Sequence, residues 1–201
     1  MTVGDTTERW PVISSAEQVR NWLLTVRTDQ VRMPDDEIAE RVVVTHPGAV
    51  GILALDDANR VLMIRQYRHP VGRLMWELPA GLRDHDGETL VEVARRELRE
   101  ETGYAAGEWH TLLDYYSSPG FSTERLRIFL ARGLTKLADR DYVPHHEEAF
   151  LETSWMPLED VVRLVLAGKI HNGVAVAGIL AGHTAAARGF TMLRSPDAPE
   201  E

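Results

Sequence analysis

The stretch GLRDHDGETLVEVARRELREETG, residues 81–103, decides how the chain is read. Its second part predicts a helix over Leu90–Thr102. Advancing about 100° per residue from Leu90 gathers Leu90, Ala94, Leu98 and Val91 into one apolar stripe. Glu97 and Glu101 then fall within about 20° of Leu90, at the border of that stripe, and Glu100 sits at its flank. Arg95, Arg99, Glu88 and Glu92 project from the opposite side. The helix therefore carries carboxylates beside the face it is expected to bury.

That arrangement is opposed energetically. Glu97 and Glu101, at i and i+4, repel by a few tenths of a kcal/mol. Acids in the last turn oppose the helix dipole by roughly 0.3–1 kcal/mol each. Partial burial of an unpaired carboxylate costs several kcal/mol or raises its pKa. A cation has to compensate, and two sources are open at this point. Arg95, Arg96 and Arg99 could neutralise the acids in a solvated, salt-bridged helix. Alternatively, the carboxylates bind a hard divalent cation, which takes oxygen ligands and is often completed by substrate phosphates.

The surrounding pattern resembles the signature of the Nudix hydrolases: Gly, five residues, Glu, seven residues, Arg-Glu, a bulky aliphatic, one residue, Glu-Glu, one residue, Gly, then an apolar residue. From Glu88 onward the chain follows it, through Arg96-Glu97-Leu98, Glu100-Glu101 and Gly103, with Tyr104 at the final position. It departs at the start, where six residues instead of five separate Gly81 from Glu88. The extra residue lies ahead of the helix and leaves the helical spacing intact. The resemblance implies an α+β fold, a Nudix-type α/β/α sandwich with a mixed sheet.

Outside the signature, HPGAV (46–50), RQYRHP (65–70), WELPAG (76–81), SSPGFSTE (117–124) and HHEE (145–148) resemble the ADP-ribose pyrophosphatase branch of that family, over roughly 29–187. What the resemblance implies is hydrolysis of ADP-ribose to AMP and ribose 5-phosphate with Mg²⁺, for which Mn²⁺ is a possible substitute. It implies metal ligation by Glu97, Glu100 and Glu101, with the backbone carbonyl of Ala80 and with Glu148. A glutamate on a late loop serves the attacking water, Glu148 or else Glu147, with Glu101 the other candidate for the catalytic set. Arg68 is expected at the diphosphate or ribose, Glu124 as a hydrogen-bonding partner of the substrate, and Arg41 as a contact donated across a dimer. Glu88 and Arg96 are expected to lock loop to helix. Each has a plainer reading: Arg68 as a strand-edge arginine, Glu124 paired with Arg125 or Arg127, Arg41 as a surface residue. His145 and His146 are alternative metal ligands.

The rest of the chain reads as follows. Residues 1–18 look loosely ordered; Trp22–Met33 and Ile38–Thr45 read as a hairpin or small sheet. Strands are expected at Ala49–Leu55, Val61–Tyr67, Trp109–Tyr116 and Leu126–Ala131, with Trp155 on a last strand. Helices are expected at Leu158–Ala167 and Asn172–Arg188. This gives an N-terminal β segment, 1–45, expected to dimerise; a main domain, 46–190; and a disordered acidic tail, 191–201. Trp22 is expected to pack in a core, and Trp10 could stack an adenine.

Composition sets the outer limits. Of 201 residues, 22 are Lys or Arg and 31 Asp or Glu, a formal charge of −9, which argues against broad nucleic-acid or anionic-membrane surfaces. There are no cysteines, so thiol nucleophiles, disulfides and Cys-zinc sites are excluded. The acidic N-terminus lacks signal-peptide character, and the Gly173–Ala187 run is too short to span a membrane, so a cytoplasmic protein is expected. The expected partner is a small nucleoside diphosphate sugar. GDP-mannose or NADH are competing substrates, and a non-hydrolytic ADP-ribose sensor is the competing class.

Overall fold

The computed structural model describes residues 3–85, 87–138 and 150–200. Two compact units divide the chain: Met1–Pro47 with Ser118–Glu124, and Gly48–Ser117 with Arg125–Glu201.

The first unit is a three-stranded antiparallel sheet, β1 (Val12–Arg20), β2 (Thr25–Arg32) and β3 (Ile38–Thr45), in the order β1-β2-β3. Strand β1 lies in the segment expected to be loosely ordered. Its exposed residues, VISSAEQVR, give no alternating apolar signal, and pairing with β2 is what defines it. Asp29 of β2 is buried and accepts hydrogen bonds from Ser15 Oγ at 2.6 Å and Arg27 Nε at 3.1 Å. Trp22, expected in a core, is 83% exposed, because it falls in the turn between β1 and β2. Segment 118–124 joins this unit through backbone bonds between Val44 and Phe121 and between Thr123 and Val44.

In the second unit, β4 (Ala49–Ala54), β7 (Ala80–Leu82), β8 (Tyr104–Tyr116) and β9 (Arg125–Lys136) form a mixed sheet, β7-β4-β9-β8, in which only β4 and β9 run parallel. A second, antiparallel sheet has β5 (Arg60–Arg68) between β10 (Glu152–Pro157) and β6 (Arg73–Glu77). Helices α1 (Leu90–Thr102), α2 (Leu158–Leu166) and α3 (Gly173–Ala186) complete it.

The sheet is apolar on both faces, and strand periodicity shows why. In β4, Ile52 and Ala54 join the cluster around Val91, Ala94 and Leu98 of α1, while Leu53 joins the cluster around α2 and α3. Phe129 and Ala131 of β9 go with α1, and Ile128 and Leu130 with α3. Alternate residues point to opposite faces, so the helices cover both sides in an α/β/α arrangement. Each fully buried Leu, Ile or Phe contributes roughly 1.5–3 kcal/mol. Helix α3 comes close because Gly178 and Gly182 face Leu78 and Leu53 without a Cβ.

The tail expected to be disordered is docked on this unit over residues 195–200. Thr111 Oγ donates to Ser195 O at 2.9 Å, and Arg127 donates to the carbonyls of Ala198 and Pro199. Its acidic, Pro-containing composition offers no apolar anchor; backbone carbonyls meeting a buried arginine hold it.

Candidate active site

Helix α1 covers the predicted span, Leu90–Thr102. Thr89 caps it in a reciprocal box with Glu92, and Gly103, at φ 73, ends it with its N–H on Arg99 O. Val91, Ala94 and Leu98 are buried as the stripe requires, and Val93 widens it. Arg95 and Arg99 are exposed. Arg96 lies against three of the acids. Its Nη1 lies 2.7 Å from Glu97 Oε1 and 3.3 Å from Glu100 Oε2, and its Nη2 lies 3.2 Å from Glu88 Oε2. Arg96 thus ties the loop before the helix to the carboxylates on it. Its pKa is raised, because the surrounding glutamates outweigh the effect of burial.

Glu97 is the most perturbed of the acids. Burial pushes its carboxyl up to about 7, and Glu100 adds repulsion while Arg96 pulls the other way. Its side chain lies against the backbone of Gly81 on the β7 side, in space that any Cβ at residue 81 would fill. Glu101 reaches the same strand, where its Oε2 accepts the N–H of Ala80 at 2.9 Å. The structure therefore brings Ala80, Gly81, Glu97, Glu100 and Glu101 together around the end of α1 and β7.

The donor chemistry fits a hard divalent cation: carboxylate oxygens and backbone. Among the described residues, no group of three or more acidic, His or Cys side chains is drawn together tightly enough to hold an ion. Glu97 and Glu100 converge on the Arg96 guanidinium, so the pair is already arranged to attract positive charge.

The NUDIX domain model matches residues 45–176. The chain belongs to the Nudix family. It is 46% identical over 185 residues to an ADP-ribose pyrophosphatase of Mycobacterium tuberculosis, covering 92% of this chain and 88% of that protein. An ADP-ribose pyrophosphatase of Bacillus subtilis is 35% identical over 150 residues, 75% of this chain and 80% of that one. A crystal structure described as an ADP compounds hydrolase superposes with a TM-score of 0.74 at 20% identity, covering 92% of this chain and 99% of that chain, and shows the shared fold.

Against the Nudix signature, Glu88 and Arg96 form the expected loop-to-helix lock. The other expected contacts are distributed. Arg68, at the end of β5, is held by Glu77 through Nε at 3.0 Å and Nη2 at 2.7 Å. Arg41 and Glu124 belong to the N-terminal unit. Arg41 donates to the carbonyl of Glu40, and Glu124 Oε1 lies 3.7 Å from His46 Nδ1. Arg127, weighed as a partner of Glu124, pairs with Asp114 at 2.7 Å instead. Glu147, Glu148, His145 and His146 lie outside the described residues.

Sequence reasoning missed Glu77 and Asp114. Glu77 is 1% exposed beneath Arg68. The signal for it was present, since an acid in the apolar WELPAG stretch needs a counter-charge and Arg68 lies in the preceding motif. Asp114 had no comparable signal, because its partners Arg127 and Arg194 are distant in sequence.

Proposed function

We propose that this chain hydrolyses ADP-ribose to AMP and ribose 5-phosphate with Mg²⁺, Mn²⁺ being an adequate substitute. The observation that carries this reading is the intact carboxylate set of α1 held against β7, Glu97 on Gly81 and Glu101 on Ala80. The similarity to two ADP-ribose pyrophosphatases supports the choice of substrate. A sensor that only binds ADP-ribose would have no need of Glu97, Glu100 and Glu101 together, and all three are present.

In this reading Glu97, Glu100, Glu101, the Ala80 carbonyl and Glu148 hold the ion. When bound, the ion neutralises the diphosphate and acidifies a water. Glu148, or else Glu147, takes the proton as the water oxygen forms its bond to phosphorus. The bridging P–O bond breaks, and one phosphate leaves on each product. Arg68, braced by Glu77, presents a rigid guanidinium to the diphosphate. Glu124 is read as a hydrogen-bonding partner of the substrate, and Arg41 as a contact donated across a dimer.

We further infer that the N-terminal sheet pairs two copies of the chain. Val12, Ile13, Val19, Ile38 and Val42 on that sheet are each about half exposed, apolar side chains that support self-association. The acidic balance and the lack, among the described residues, of any helix long and apolar enough to cross a membrane favour a cytoplasmic enzyme acting on a small molecule. Neither nucleic acid nor membrane is proposed as a partner.

A hydrolysis screen with Mg²⁺ over ADP-ribose, GDP-mannose and NADH, with products separated, tests the substrate. Preferential release of AMP and ribose 5-phosphate from ADP-ribose is expected. Turnover of GDP-mannose or NADH with ADP-ribose untouched would overturn the substrate while leaving the family.

A further inference from the structure

Gly48, Arg83, Arg125 and the docked tail form a feature of the second unit that the hydrolytic reading does not use. Gly48 has φ 91, a conformation that favours glycine, and its open side is crossed by the Arg83 side chain. A Cβ there would lie 3.3 Å from Arg83 Cδ and 2.8 Å from Arg125 O. Arg83 and Arg125 meet on one carboxylate, that of Glu200: Arg83 Nη1 is 3.2 Å from Oε2 and Arg125 Nε is 3.7 Å from Oε1. Arg127, 3% exposed, fixes the tail by donating to Ala198 O and, at 3.1 Å, to Pro199 O. Below it Asp114 balances Arg127 and Arg194. Glu200 is thus a tethered anion in a seat built from two arginines and a glycine, over a nearly buried third arginine.

We propose that Arg83 and Arg125 form a binding site for a small phosphomonoester, and that Glu200 is its internal competitor. A phosphomonoester carries about −1.5 to −2 charge at pH 7 and three acceptor oxygens, against one charge and two oxygens for the glutamate. Two guanidinium groups suit it better than a carboxylate. The seat is joined to the segment between β7 and α1. Arg83 follows Gly81 by two residues, and its N–H donates to Gly48 O at 3.2 Å. A ligand that displaces Glu200 therefore bears on the strand against which Glu97 and Glu101 are held.

Calorimetric titration with methyl phosphate, at fixed ionic strength and without divalent cations, tests this independently of turnover. The proteins are the full chain, Glu200→Gln, and Glu200→Gln combined with Arg83→Gln or, separately, with Arg125→Gln. A competitor that fills the seat nine-tenths of the time weakens apparent affinity about tenfold, so Glu200→Gln is expected to bind about tenfold more tightly than the unmodified chain. Either arginine substitution is expected to abolish that gain, with the circular-dichroism spectrum unchanged. Equal affinity in the full chain and Glu200→Gln, no binding in either, or a gain that survives both arginine substitutions would overturn the proposal.

Discussion

The carboxyl group of Glu97 occupies the space that a side chain on Gly81 would need. Helix and strand meet there side chain to backbone, which gives the signature glycine a steric reason separate from any turn. Gly81→Ala is therefore expected to force Glu97 out of place, at an overpacking cost of about 1–3 kcal/mol. Steady-state kinetics should show kcat falling at least about tenfold, the 1.4 kcal/mol equivalent. Normal kcat with a folded protein would mean that Glu97 does not need this position.

The burial of Glu97 makes stability depend on pH. Its carboxyl titrates near 4.5 when unfolded and is pushed up to about 7 when folded. Between those values the folded state holds more protons, so stability falls as pH rises through this window and levels off above 7. The change is about 3.5 kcal/mol at most, from about 1.4 kcal/mol per pKa unit. Urea unfolding without divalent cations should show this slope, and Glu97→Gln should flatten it.

Asp114 works in the opposite sense. Burial favours its neutral form, but hydrogen bonds from Arg127 and Arg194 outweigh that and hold the carboxyl below its usual value. Asp114→Asn leaves Arg127 buried without its counter-charge, at an expected cost of about 3–5 kcal/mol. A depressed pKa gives stability that is present above about 3.8 and lost as pH falls through the folded value. The gap between Asp114→Asn and the unmodified chain in urea melts should therefore close in acid.

Glu77 braces Arg68 from a site that is 1% exposed. Glu77→Gln should weaken that brace and raise KM for ADP-ribose about tenfold, roughly 1.4 kcal/mol, with a smaller effect on kcat. An unchanged KM would separate Arg68 from substrate binding.

The helix carrying the glutamates was legible because a 3.6-residue period survives in a single sequence, and its span was read as Leu90–Thr102. The central strands β4, β5 and β9 were legible from their apolar runs. Strands β6 and β7 were not: Arg73–Glu77 and Ala80–Leu82 are too short for a period to emerge and exist through pairing with β5 and β4. Strand β1 was hidden by its polarity, and the docked tail by the distance in sequence between Arg127 and Ala198. The acids of the candidate site could be named from the signature they resemble, whereas their restraints, Gly81 under Glu97 and the Ala80 N–H on Glu101, are tertiary contacts.

The most direct measurement is ADP-ribose turnover with and without Mg²⁺ by the unmodified chain and by Glu101→Gln, products separated by chromatography. AMP and ribose 5-phosphate in equal amounts, abolished by removing Mg²⁺ and reduced at least about 100-fold in Glu101→Gln, are expected. Intact ADP-ribose after incubation with the unmodified chain, or undiminished turnover by Glu101→Gln, would contradict the assignment of these glutamates to the hydrolysis of ADP-ribose.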